Sequence, residues 1–268
     1  MSGADLQLIE DAAREAGELA LSYRLQGKVR AWAKQGGSPV TNADLAVDKL
    51  LTERLRAARP DYGWLSEETA DDASRLQAKR AFVVDPIDGT VAFMKDRPHW
   101  AVSIAVVEDG QPVSGVLHAP AHGETFVAEA GQGARMNGQP IHVSDRDRLE
   151  GAALLADARY LRKPDWPEPW PEDLRIEARN SVAYRMALVA CSAFDAVVAI
   201  SSKCDWDLAA ADLIVREAGG LATDHRGRRL RRGGGDLVQV RLGPGRRRPD
   251  RARGGRPRHR SPGPAFRL

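Results

Sequence analysis

The spacing of apolar positions switches between helical and strand-like along this chain, and the switches mark its elements. From Asp5 to Leu25, the residues Leu6, Ile9, Ala13, Ala16, Ala20 and Tyr23 fall on one helical stripe, so an amphipathic helix is predicted first. An extended piece follows and ends at Gly36-Gly37-Ser38-Pro39. Thr41-Asn42-Ala43-Asp44 then reads as a capping box opening a second helix, with Val47, Leu50, Leu51, Leu55 and Ala58 inward and Pro60 just past its end. Tyr62-Gly63-Trp64-Leu65-Ser66 is short, aromatic and strand-like. Val102 to Val107, Val113 to Leu117 and Thr125 to Ala128 predict an antiparallel meander, broken by Glu108-Asp109-Gly110-Gln111 and Pro120-Ala121-His122-Gly123. His118 and His122 have the spacing of paired helical ligands. Pro120 between them argues against a helix, so both are expected in a loop.

After Ser144 the pattern changes. Ala152 to Leu155 is a strand candidate, and Arg162 to Asp173, with four prolines and two tryptophans, is a loop. Ser181 caps a helix running through Ala190, and Ala196 to Ile200 is another strand. Asp207 begins a further helix that buries Leu208, Ala211, Ile214, Val215 and Ala218 and closes at Gly219-Gly220. There is no internal repeat.

Composition refines this picture in two places. The 268 residues and 43% hydrophobic content allow one large domain or two halves sharing a core. No apolar run approaches the roughly 18 residues that span a bilayer. Met1 to Gly17 carries Asp5, Glu10, Asp11 and Glu15, which excludes a secretory signal there. Cys191 and Cys204 make neither a disulfide framework nor a metal-ligand spacing, and so point to a reducing cytoplasm. The net charge of +3 conceals an asymmetry. Residues 228–268 hold 14 Arg against Asp236 and Asp250, so the tail is +12 and the body −9.

The candidate chemistry centres on Val83-Val84-Asp85-Pro86-Ile87-Asp88-Gly89-Thr90. A β-branched run ends in two carboxylates three residues apart, and Pro86 is expected to stop the paired strand and fix a tight turn. Gly89 lets the backbone approach a ligand, and Thr90 offers a hydroxyl beside a backbone N–H. Hard oxygens on a turn suit Mg²⁺, and exposed N–H groups suit a phosphate. Asp44, Glu67 and Asp207 also lie at strand ends or helix starts. Asp44 has a complete structural explanation as a first-turn carboxylate, Glu67-Glu68 as a solvated helix start, and Asp207 as an acid favoured by the helix dipole. Gathered together, these acids would repel one another, and their pKa values would rise unless cations neutralised them. Grouping therefore implies metal.

Glu67-Glu68, Asp85-Pro86-Ile87-Asp88-Gly89-Thr90 and Trp206-Asp207-Leu208-Ala209-Ala210, in that order, resemble the inositol monophosphatase superfamily of Mg²⁺-dependent, lithium-sensitive phosphatases. The resemblance spans about residues 5 to 230. It implies an α/β (α+β) fold, a layered α/β/α/β/α sandwich of the inositol monophosphatase and fructose-1,6-bisphosphatase type. Residues 1–145 would form an N-terminal α+β half, 146–230 a C-terminal α/β half, and 231–268 a tail. Carried over, Glu67, Asp85 and the Ile87 carbonyl would hold a first Mg²⁺. Asp85, Asp88 and Asp207 would hold a second, with Glu67 assisting a weaker third. Thr90, oriented by Asp44, would position the attacking water and Glu67 would help deprotonate it, while Asp88 and the N–H groups of Gly89 and Thr90 hold the phosphate.

The implied substrate is a small phosphate ester. Inositol-specific members carry a Glu seven residues before the Asp of Trp-Asp, where this chain has Ile200. Phe93, Arg97-Pro98-His99-Trp100-Ala101-Val102-Ser103 and Asp205-Trp206-Asp207 are more similar to the 3′(2′),5′-bisphosphate nucleotidase branch, which converts 3′-phosphoadenosine 5′-phosphate to AMP. The chain departs from that branch at Val91-Ala92, where a basic-acidic pair is common. Ser181 and Asp205 are the expected substrate contacts, inositol-1-monophosphatase is the alternative activity, and a homodimer is allowed. The Arg-rich tail makes a nucleic-acid-binding protein the alternative of another class, while the presence of all five carboxylates and Thr90 argues against an inactive remnant of the motif. With eight Gly, five Pro and no Lys, residues 231–268 are expected to be disordered, their one hydrophobic cluster being Leu237-Val238-Gln239-Val240. Such an Arg/Gly/Pro run is also what a GC-rich gene gives when read out of frame.

Overall fold

The computed structural model describes residues 2–161, 166, 169–224 and 238–241. Helix α1 (Ser2–Leu25) buries Ile9, Ala12, Ala13, Ala16 and Ala20, the predicted stripe widened by one alanine. β1 (Ala31–Ala33) and β2 (Pro39–Thr41) form an antiparallel hairpin that turns at Gly36 and Gly37. α2 (Asn42–Ala58) opens on the predicted capping box. The Thr41 hydroxyl oxygen accepts from the amides of Ala43 and Asp44, and the Asp44 carboxylate accepts from the Thr41 amide. Val47, Leu51 and Leu55 are buried and Leu50 half-buried, but Ala58, expected inward, is exposed where the helix leaves the sheet.

A seven-stranded sheet follows in spatial order, with each strand beside the next. Its strands are β3 (Gly63–Ser66), β4 (Arg80–Asp88), β5 (Ala101–Glu108), β6 (Gln111–Ala119), β7 (Glu124–Glu129), β8 (Ala134–Met136) and β9 (Gln139–Ile141). β3 runs parallel to β4, and every other pair is antiparallel. The short helix α3 (Thr90–Met94) separates β4 from β5.

Two expectations fail here for physical reasons. Pro86 does not end its strand. Asp85 pairs with Ser103 and Asp88 with Ala101, so three steps on β4 oppose two on β5. β3 pairs with β4 only as far as Val84, so Pro86 lies on an open side of the strand, and the bulge lets β4 continue along β5 without the proline N–H. His118 is not a loop residue either; it lies near the end of β6, is 7% exposed, and its Nδ1 is 2.9 Å from Thr125 Oγ1. Alternation along β6 turns it under α1, where Gly17 makes room. A Cβ at position 17 would lie 2.5 Å from His118 Cδ2.

The second sheet collects β10 (Ala153–Leu155), β11 (Arg175–Glu177), β12 (Ala196–Ala199), β13 (Leu221–Thr223) and β14 (Val238–Arg241) in the order β11-β10-β12-β14-β13. The first three are parallel, and β14 is antiparallel to both β12 and β13. The expectation of a disordered tail is thus corrected for Val238–Arg241, whose backbone fills the gap between two strands. The rest of 231–268, and residues 162–165 and 167–168 of the predicted loop, lie outside the described residues. α4 (Ala158–Leu161) follows β10, α5 (Val182–Ala190) precedes β12, and α6 (Asp205–Glu217) follows it.

Strand alternation sorts the core into layers. Phe82, Val84, Ile104, Val106 and Val116 face α1 and α2. Leu65, Val83, Ala105, Val107 and Leu117 face the other way, onto α5 and α6, which lie between the sheets and meet Leu155, Val197 and Ala199 beyond. Outside the second sheet, Leu154 and Val198 are covered by Leu161, Trp166 and Trp170. The order is α/β/α/β/α. α6 presses so closely on β6 that a Cβ on Gly115 would be 3.1 Å from Ala210 Cα. Among the described residues no helix is long and apolar enough to cross a membrane.

Burial, with the charge of Arg14 second, pushes the His118 imidazole down to about 4. The native state therefore resists a proton that the unfolded chain accepts near 6.5, so this group's contribution is full above 6.5 and is lost as pH falls toward 4. Relative to wild type, His118→Gln should flatten the decline of Tm between pH 6.5 and 4, by an amount on the order of 2 kcal/mol at pH 5. Thermal melts of both proteins in EDTA check this; parallel pH profiles would contradict it.

Candidate active site

Asp85 and Asp88 occupy the two ends of the β4 bulge, and Asp207 is the third residue of α6. Each brings a carboxylate oxygen within 4.8 Å of the others, although Asp207 is 119 positions beyond Asp88 in the chain numbering. Local bonds fix all three. The Ile87 amide donates to Asp85 Oδ1 at 3.1 Å. Asp88 Oδ2 accepts from the Ser181 hydroxyl at 2.5 Å and the Ala183 amide at 2.7 Å, both at the start of α5. Asp207 Oδ2 accepts from the Cys204 amide at 2.6 Å, so the N-terminal cap of α6 also aims the acid. The helix begins at Asp205, two residues earlier than expected.

Beyond the bulge, Gly89 has φ 98°, in the left-handed region. A Cβ there would lie 3.0 Å from both the His99 carbonyl oxygen and Ser181 Cβ, so backbone conformation and space each require glycine. Thr90 then opens α3. Its hydroxyl lies 3.2 Å from Asp44 Oδ1 and 3.1 Å from the Ile87 carbonyl, two acceptors for one proton. Asp44 is 1% exposed, and burial holds its carboxyl above the usual range despite the bonds from Thr41 and Thr90.

Glu67 follows β3, and its amide donates to the Val84 carbonyl at 3.2 Å. Its carboxylate receives Lys34 Nζ at 2.9 Å, while the same ammonium reaches Glu68 at 2.7 Å. Lys34 comes from the β1–β2 hairpin. Burial, opposed by Lys34, pushes Glu68 up to about 7. Burial and then the neighbouring charges of Asp88, Glu67 and Asp207 raise Asp85 well above the carboxylate range. Asp88 is raised by burial against its bonds to Ser181 and Ala183, and Asp207 is pushed up to about 7 by burial and then Asp88. Lys203 and Arg185 add positive charge beside Asp88.

Carboxylates that resist ionisation because they are buried and, at Asp85 and Asp207, face other acids are a donor set lacking a cation. Three hard oxygens within reach of a common centre, with the Ile87 carbonyl in the same bulge, fit a divalent ion of the Mg²⁺ type. The structure thus gathers Asp85, Asp88 and Asp207, sets Thr90 against Asp44, and turns Ser181 onto Asp88. Glu67 lies within electrostatic reach of Asp85 and Asp207 but is held by Lys34. Asp205 stands at the first position of α6, near the charge of Arg75, outside the acid cluster. Ile200 packs into the apolar layer outside the second sheet and offers no oxygen. Lys34, Arg185 and Lys203 are the residues that pattern reading missed. A single cation on a hairpin, a helix or a loop carries no periodic signal.

Comparison with known proteins agrees with this geometry. The model of the inositol monophosphatase family matches residues 5–246. The histidinol-phosphatase of Chlorobaculum parvum is 36% identical over 249 residues, covering 90% of this chain and 94% of that protein. The Nus factor SuhB of Escherichia coli K12 is 33% identical over 230 residues, 83% of this chain and 85% of its own. Among solved structures, an IMPase of Thermotoga maritima superposes with a TM-score of 0.78 at 28% identity, covering 90% of this chain and 93% of that one. The extragenic suppressor protein SuhB of Bartonella henselae gives 0.75 at 29%, covering 90% and 95%. Motif, fold and acid cluster coincide over the same residues, and the chain belongs to the inositol monophosphatase family.

Proposed function

We propose that this phosphoric monoester hydrolase acts on a small phosphate ester using Mg²⁺ held by Asp85, Asp88, Asp207, Glu67 and the Ile87 carbonyl. The observation that carries the reading is the convergence of Asp85, Asp88 and Asp207 beside the Thr90–Asp44 pair. When bound, Mg²⁺ supplies a lowered water pKa and charge stabilisation for phosphoryl transfer. The chain's own groups do the rest. Asp44 holds the Thr90 hydroxyl so that its oxygen orients the attacking water, and Glu67 accepts the water's proton. Amides of Gly89 and Thr90 hold phosphate oxygens, and attack is in line with no covalent phosphoenzyme.

For the leaving group, the favoured reading is a 3′(2′),5′-bisphosphate nucleotide. Lys203 and Arg185 place two cations beside Asp88, which suits a second phosphate, and Ile200 supplies no acceptor for polyol hydroxyls. Histidinol phosphate is the second reading, favoured by the 36% identical Chlorobaculum parvum relative. The enzyme is read as cytoplasmic, lithium-sensitive and compatible with a homodimer.

Asp85→Asn should lower Mg²⁺-dependent kcat by at least about a hundredfold, and EDTA should abolish activity. Robust turnover in EDTA would contradict the assignment. Because burial and the charge of Asp88 push Asp207 up to about 7, the Mg²⁺ concentration for half-maximal activity should fall as pH rises from 6 to 8. A pH-independent value would speak against ligation by Asp207. Measured side by side, kcat/KM should rank adenosine 3′,5′-bisphosphate above histidinol phosphate and inositol 1-phosphate. A tenfold preference for either competitor, about 1.4 kcal/mol in transition-state binding, reverses the ranking.

A further inference from the structure

Asp48 is buried at 9% exposure, one helical turn beyond Asp44 on α2. Its Oδ1 accepts from the Ser66 hydroxyl at 2.5 Å and its Oδ2 from the Thr69 hydroxyl at 2.8 Å. Among the described residues no cation lies within ion-pair distance of it. These two donors bracket Glu67-Glu68. Ser66 Oγ in turn accepts from the Glu68 amide at 3.4 Å, which bends the chain at Glu67. The Glu67 amide is already committed to Val84. The residue between is therefore pinned from both sides, and the bonds on its flanks converge on one carboxylate.

We infer that Asp48 is a positioning residue that fixes the Glu67 carboxylate toward the metal-binding acids. This rests on the reading of Asp85, Asp88, Asp207 and Glu67 as Mg²⁺ ligands. A buried carboxylate without a cation is a costly way to satisfy two hydroxyls, of which the exposed Thr69 could turn to water instead. An acceptor with no N–H of its own gives both hydroxyls one direction, and so gives the bend a single geometry. α2 thereby carries two carboxylates at i and i+4 with parallel tasks. Asp44 sets Thr90 after β4, and Asp48 sets Glu67 after β3, about 6 Å further along the axis. Supporting groups of this kind orient the ligand rather than touch the ion.

The test uses Asp48→Asn, Asp48→Ala and Thr69→Val in the full chain, with Arg59→Ala as a control. Arg59 bonds Asp5 at the far end of α2, at 2.9 Å. Two readouts apply: the Mg²⁺ concentration for half-maximal hydrolysis of p-nitrophenyl phosphate, and the rise in Tm produced by Mg²⁺ alone. Both Asp48 variants and Thr69→Val should need about three- to tenfold more Mg²⁺ in each assay, while kcat at saturating Mg²⁺ falls less than about threefold. Asp48→Asn should be milder than Asp48→Ala because its carbonyl keeps one hydroxyl bond. Arg59→Ala should lower Tm without changing the Mg²⁺ requirement. Asp48 and Thr69 variants that respond to Mg²⁺ like wild type, or that merely lower Tm as Arg59→Ala does, overturn the inference and leave the metal reading standing. A wild-type protein with no Mg²⁺ response in either assay overturns both.

Discussion

The constraint on which this structure depends is repulsion among Asp85, Asp88 and Asp207, whose carboxylate oxygens come within 4.8 Å of one another with the first two acids buried. Left alone, such a cluster pushes strands and helices apart or takes up protons; burial raises all three acids, and neighbouring acids raise Asp85 and Asp207 further. The fold answers with directed donors. Each acid receives at least one backbone amide: Ile87 for Asp85, Ala183 for Asp88 and Cys204 for Asp207. A bond from an amide to a charged carboxylate is worth about 1.5–3 kcal/mol, enough to orient a group but not to cancel full desolvation. The remaining deficit is what a divalent cation at this site would relieve.

The bulge at Pro86 is the geometric device behind this. A regular strand would point residues 85 and 87 to one face and 86 and 88 to the other. Slipping the register by one residue between Asp85 and Asp88 changes the side to which the later residues turn. The oxygens of Asp85, Asp88 and Asp207 can then meet. Proline suits the slip because it has no amide to leave unpaired. Gly89, at φ 98°, then turns the chain abruptly enough for Thr90 to reach back to the Ile87 carbonyl.

What could be read from the sequence was local. The Thr41–Asp44 box, the α1 stripe and the β5–β7 meander rest on contacts among near neighbours, and they stand as read apart from Ala58. The octapeptide identified its acids because residue types at short offsets carry its chemistry. The turn expected at Pro86 was wrong because the rule for proline admits two outcomes. Pairing with β5 on both sides of the proline, at Ser103 and Ala101, selected the bulge. His118 needed Gly17, about a hundred residues away, to be understood as a strand residue under a helix. Lys34 and Asp48 act through loops and hydroxyls far from them in sequence. β14 was hidden because four residues in an Arg/Gly/Pro stretch gain strand structure only from β12 and β13, which flank them.

The site also ties the two sheets together. Asp88 belongs to the seven-stranded sheet, yet both donors to its Oδ2 open α5, and Asp207 opens α6. Those helices share an apolar layer with Val83 and Leu117 on one side and Leu155 and Val197 on the other. Docking of the sheets is driven by that layer, and the acid cluster sits at its edge as an unfavourable contact. Apolar burial at about 25 cal/mol per Å² therefore holds the acids closer than electrostatics alone would allow. A cation entering the cluster would remove the repulsion and leave the apolar layer unopposed. Metal binding would then be linked to docking of the two sheets, through Asp88 and its two bonds to the start of α5.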